Sequence, residues 1–155
     1  TKWSFIDING QPVGEQLFDD VKMYSNGEYN YQDIFIASQD GKYYLFDSEG
    51  ERTIESGYED MDIYLDENIA VKLNGKWGFI NNKGEVIIEA KFQQAKSFSD
   101  GLAAVYDGDR WGFVNKDGDL VIDYQYREAD YFTEDGICFV STYEDLYHMI
   151  SLRFN

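Results

Sequence analysis

The sequence predicts an all-β fold, with tandem three-stranded antiparallel β repeats of about 34 residues stacked in an open twisted array. Three observations carry this. A Trp- or Tyr-led segment recurs along the chain, each copy holds an Asx-x-x-Gly turn between two β-rich runs, and no helical periodicity survives a window of about 11 residues. The alternative is closure of the same units into a small propeller-like ring. Propeller blades usually need about 40 to 45 residues, which is long for these units.

The best copies set the repeat. Trp77 leads KWGFINNKGEVIIEAKF, and Trp111 leads RWGFVNKDGDLVIDYQY one period later. Tyr43 precedes Trp77 by the same interval, and Trp3 leads a first copy whose distance to Tyr43 is longer, so that copy carries an insertion of six. The units are 2–41, 42–75, 76–109 and 110–145, with a partial fifth over 146–155 led by Tyr147, together forming one repeat domain. Gly10, Gly50, Gly84 and Gly118 hold one fixed place after the anchors. Aromatics recur at two more fixed places, as Phe18, Tyr58, Phe92 and Tyr126, then as Tyr24, Tyr64, Phe98 and Phe132. At 17% aromatic content, one such column arises by chance about once in a thousand, so three of them are decisive.

Each element follows from its residues. WGFIN and WGFVN are short aromatic and β-branched strands. Asp7, Asp47, Asn81 and Asn115 then precede the glycines by three positions, which predicts an Asx-stabilised type I turn closed by a left-handed Gly. EVIIEAKF returns as a second strand, and LAAVYDGD or NIAVKLNG makes a third. Residues 94–98 (QAKSF) suit a local helical turn. Apolar residues at adjacent positions, such as Phe79 with Ile80, imply sheets covered on both faces. One unit of this size cannot bury its own apolar face, so units must be stabilised by stacking, with the anchors expected at the junctions. On that expectation, truncating buried Trp77 or Trp111 to Ala costs about 3 to 5 kcal/mol.

Composition narrows function. The 155 residues hold 13 Lys and Arg against 30 Asp and Glu, a net charge of −17. With no basic run to neutralise phosphates, nucleic acid is excluded as a partner, and no apolar stretch is long enough for membrane insertion. With 43% hydrophobic residues the chain folds. It opens on Thr1, which is read as an excised or processed piece, and nothing in it identifies its compartment. A cell-envelope or secreted setting is the expectation set against a cytoplasmic one.

Residues 76–109 carry Lys76, Trp77, Gly78, Phe79, Ile80, Gly84, Val86, Ile87, Phe92, Ala95, Phe98, Ser99, Gly101, Leu102, Ala103 and Val105. This pattern resembles the bacterial WG-repeat family, and residues 110–141 follow it almost as well. The first two units depart from it, with Ser4 and Tyr44 at the usual Gly and Tyr43 at the Trp. Glu89 and Asp123 stand where that family commonly has proline. The resemblance implies a β-repeat protein in a family usually regarded as non-catalytic.

Catalytic chemistry finds little support. The single histidine, His148, reads as structural or surface, and Cys138 aligns with Ala103 as a small buried hydrophobe. No nucleophile elbow or phosphate loop is present, and no metal or cofactor site is expected. Thirty carboxylates make chance pairs such as Asp60 with Asp62 uninformative for a hydrolase. The densest acidic stretch, Glu59, Asp60, Asp62, Asp66 and Glu67, is the candidate docking patch for a basic protein. Polysaccharide is the alternative partner. The periodic aromatics are assigned to the core, and Tyr29, Tyr31 and Tyr106 are the candidates for a sugar-stacking shelf.

Overall fold

The computed structural model describes residues 1–22, 34–62 and 68–142, together with the backbone of 147–151. Tyr24, Tyr29, Tyr31, Tyr64, Asp66 and Glu67, and the side chains of Tyr147 and His148, lie outside the described residues.

The described residues form five antiparallel sheets and no helix. The first pairs β1 (Trp3–Ile6) with β2 (Pro12–Phe18), and the second orders β3 (Asp20–Lys22), β4 (Phe35–Gln39) and β5 (Lys42–Phe46). The third is a meander of β6 (Asp60–Met61), β7 (Asn68–Leu73), β8 (Lys76–Asn81) and β9 (Val86–Phe92). The fourth repeats it with β10 (Gln94–Ala95), β11 (Ala103–Tyr106), β12 (Trp111–Val114) and β13 (Leu120–Tyr126). The fifth holds β14 (Glu128–Ala129), β15 (Ile137–Ser141) and β16 (Tyr147–Ser151). The stronger contacts between sheets join consecutive ones, β2 with β4, β5 with β6, β8 with β10 and β12 with β14, so the arrangement is an open array.

Two details differ from the sequence reading. A sheet is not one sequence unit, because the third arm of one unit pairs with the hairpin of the next. That arm also opens with a two-residue strand, which gives the third and fourth sheets four strands. Gln94 and Ala95 belong to such a strand, so the stretch expected to be helical is extended. From β2, β9 and β13 the chain passes to the next sheet through a single residue, Asp19, Gln93 and Arg127, and Glu59 holds the same place after the isolated bridge of Tyr58 to Tyr43. Each donates its amide into the next sheet, to the carbonyls of Ser38, Lys72, Tyr106 and Ser141, at 2.9–3.0 Å. This repeated bond fixes the step between sheets.

The turns form as predicted. Asn81 Oδ1 accepts from the amides of Lys83 and Glu85, both at 3.0 Å, and Asp7, Asp47 and Asn115 do the same in their units. Gly84 closes its turn at φ 83°, a left-handed conformation that favours glycine. A Cβ there would also lie 2.9 Å from Ile54, because the turn rests on the preceding unit.

The core lies between sheets. Along β8, Phe79 belongs to a cluster with Phe92, Phe98 and Val105, while adjacent Ile80 joins one with Leu45, Tyr58 and Met61. Along β12, Val114 and Phe113 likewise enter different clusters. Alternation along a strand thus sends side chains into two successive junctions. Phe79 meets Phe98 at 4.9 Å and 66°, and Phe113 meets Phe132 at 5.1 Å and 65°, so the aromatic packing itself repeats.

The anchors are not the buried aromatics. Trp77, Trp111 and Tyr43 are half-buried, packing on their clusters from the side, and Trp3 is 44% exposed, whereas Phe79 and Phe113 are fully buried. Trp77 and Phe79 share one strand face, but Trp77 stands at the end of β8 beside the turn from β7, opposite Lys72, where the core thins. The glycine after the tryptophan has a packing cause. β9 bulges opposite it, and a Cβ on Gly78 would meet Ile88 O at 2.6 Å and the Ala90 backbone at 2.7–2.8 Å. In the second unit the bulk is exchanged. Tyr44 replaces that glycine, and a Cβ on Gly57 across from it would meet the Tyr44 ring at 2.5 Å.

Phe113→Ala is expected to cost about 3 to 5 kcal/mol and Trp3→Ala under about 1 kcal/mol, read from denaturant midpoints. In the same measurement Gly78→Ala should lose about 1 to 3 kcal/mol, since backbone cannot yield as a flexible side chain can.

Candidate functional site

Trp77 and Trp111 line one groove, and Tyr43 and Trp111 each carry a lysine over the ring. Lys22 Nζ lies 4.8 Å from the Tyr43 ring centroid and pairs with Asp60 at 3.1 Å. Two units on, Lys96 Nζ lies 5.9 Å from the Trp111 ring and 5.1 Å from that of Tyr131, and pairs with Asp130 at 3.6 Å. Lys22 stands as far beyond Trp3 as Lys96 stands beyond Trp77, so both hold the same place in the repeat. At that place in the intervening unit the chain has Asp62, whose Oδ2 accepts from the Ser97 amide at 2.7 Å and the Tyr131 hydroxyl at 2.5 Å. Trp77 and Trp111, with Asp62, Lys72, Gln94 and Tyr131, line a groove of about 450 Å³. Tyr106, a shelf candidate from sequence, stacks at 5.3 Å on Trp111.

The described members of the expected acidic patch, Glu59, Asp60 and Asp62, are engaged in the fold. Glu59 Oε2 accepts from the Gly75 amide at 3.1 Å, Asp60 is held by Lys22, and Asp62 ties three successive units together. Lys22 and Lys72 are interleaved with these acids through an ion pair and the strand register, and Lys96 pairs with Asp130 in the fourth unit.

A second acidic feature escaped the sequence reading. Glu15, Glu55, Glu89 and Asp123 hold one fixed place relative to Trp3, Tyr43, Trp77 and Trp111, making a carboxylate column present in all four units. All are exposed, and none has an ion-pair partner among the described residues. The sequence reading noted Glu89 and Asp123 at this place, and extending that comparison to Glu15 and Glu55 would have shown the column. The lysines carry no such signal, because only Lys22 and Lys96 share a place and Lys72 has no counterpart in the next unit.

Other sequence candidates are structural. Cys138 is fully buried, its thiol pKa raised chiefly by that burial, and Sγ contacts Asp130 O at 3.1 Å. Among the described residues no cluster of three or more His, Cys, Asp or Glu is placed to hold a metal.

The model of the WG containing repeat matches residues 3–43, 77–111 and 111–147, more than half of the chain. The chain belongs to the WG-containing-repeat family. The unmatched stretch is the second unit, in which Tyr43 and Tyr44 replace the Trp-Gly pair of the WG repeat. The computationally designed Ika4 protein has a similar fold, with TM-score 0.54 and 13% identity over 80% of this chain and 88% of that one. No curated protein matches the chain.

Four tyrosines link this packing to pH. Burial raises the pKa of Tyr43, Tyr58, Tyr124 and Tyr126; at Tyr43, Asp20 reinforces the effect by accepting its hydroxyl at 2.6 Å. Raised folded values leave this stability intact below the ordinary phenol value near 10 and remove it as pH climbs through the folded values. Melting temperature is therefore expected to fall above about pH 10, and Tyr43→Phe should soften that fall.

Proposed function

We propose that this WG-repeat chain is a non-enzymatic binding and scaffold module that docks another protein on its acidic repeat surface. The observation that carries this reading is the column of Glu15, Glu55, Glu89 and Asp123, one exposed carboxylate per unit. Three of them lie on the second arms β2, β9 and β13, which are edge strands. The same arms expose Leu17, Val86, Ile87, Leu120 and Val121. A periodic row of carboxylates beside apolar side chains suits an extended partner carrying basic and apolar residues, because the charges steer encounter and the apolar row supplies buried area. With 30 acids and 13 Lys and Arg, at least 17 carboxylates lack a one-to-one cation, and an acidic field of this size favours basic partners. Polysaccharide is the second reading, supported by the groove at Trp77 and Trp111.

The test is calorimetric titration with a lysine-rich amphipathic peptide at several salt concentrations. Wild type should bind, and affinity should drop with salt. The quadruple variant Glu15→Gln, Glu55→Gln, Glu89→Gln and Asp123→Asn should lose about tenfold or more in affinity with its melting temperature retained. Unchanged binding by that variant, or affinity indifferent to salt, would overturn the reading.

A further inference from the structure

Resting on the second reading above and deepening it, we infer that the groove at Trp77 and Trp111 is a subsite for a neutral pyranose saccharide, separate from the protein-docking edge. The groove measures about 450 Å³ and is open to solvent. It is assembled from three successive units, Asp62 from the second, Trp77 and Gln94 from the third, and Trp111 and Tyr131 from the fourth.

The repeat supplies the reason for an open ring here. Tyr43 and Trp111 each hold a lysine from the preceding unit over the ring. Trp77 has neither a cation nor an aromatic partner among the described residues, because the preceding unit places Asp62 where the others place lysine. An indole left in this state offers a flat, polarizable floor.

The rim around that floor carries both donors and acceptors. Asp62 is oriented through Oδ2 by the Ser97 amide and the Tyr131 hydroxyl, and its Oδ1 takes no hydrogen bond among the described residues. Lys72 and Gln94 also line the groove, and neither side chain has a hydrogen-bond or ion-pair partner among the described residues. In a protein of net charge −17 this groove is close to neutral, since Lys72 offsets Asp62 and Lys96 is paired with Asp130. That balance suits neither a phosphorylated ligand nor a polycation. A pyranose fits it, with an apolar C–H face for the indole and a ring of hydroxyls that both donate and accept.

The test uses the full chain and hexasaccharides of α-1,4-glucan, β-1,4-glucan, β-1,3-glucan and chitin type, followed by tryptophan fluorescence and calorimetry. At least one should bind saturably with affinity unchanged by salt. Trp77→Ala should weaken it by about tenfold or more, as should the combined variant Lys72→Ala with Gln94→Ala. That pair alters only groove-lining polar side chains and decides the matter should Trp77→Ala fail to fold. Trp3→Ala, outside the groove, and the four-carboxylate variant should bind as wild type. Absence of binding across the panel would overturn the assignment, as would affinity lost with salt or retained in the groove variants.

Discussion

Packing of aromatic and aliphatic side chains between consecutive sheets is the interaction on which this molecule depends. A central strand such as β8 or β12 has no solvent face. Phe79 and Ile80, or Phe113 and Val114, enter opposite junctions. Each sheet is therefore stabilised only by having a neighbour, which is the physical content of a quasi-one-dimensional repeat. The amides of Asp19, Glu59, Gln93 and Arg127, each just before a sheet's first strand, keep those neighbours in register through one repeated backbone bond.

Because the constraint sits at the junction and not in the Trp-Gly pair itself, the pair can drift. In the second unit Tyr44 takes the place of glycine, Gly57 opposite it supplies the missing space, and Arg52 stacks at 3.6 Å on the Tyr44 ring. Volume is conserved across the two strands although neither position keeps its residue, as core packing requires. The tryptophans lie where the core thins, which frees part of each ring for other contacts.

Charge is divided along the same lines. Near the anchors, lysines and carboxylates alternate and pair, leaving a locally neutral groove walled by indoles. On the outer arms the carboxylates stand alone beside exposed apolar residues, where they also discourage edge-to-edge strand pairing. The array thus presents two chemically different surfaces: an acidic edge and a mixed aromatic groove.

The sequence by itself determined the all-β class, the repeat period, the Asx turns and the aromatic columns. These depend on local geometry and on residues recurring at constant spacing: Asn81 with Gly84 makes its turn whatever surrounds it. Tertiary structure alone decided which aromatics are buried. Trp77 and Phe79 share a strand face, and only their distance from the end of the sheet separates a half-buried ring from a fully buried one. It also decided that one unit's third arm joins the next unit's hairpin, and that Asp62 in the second unit reaches Tyr131 in the fourth. Sequence spacing records what lies within a unit. Contacts across a junction depend on how sheets step past one another, and that step is set by packing between sheets.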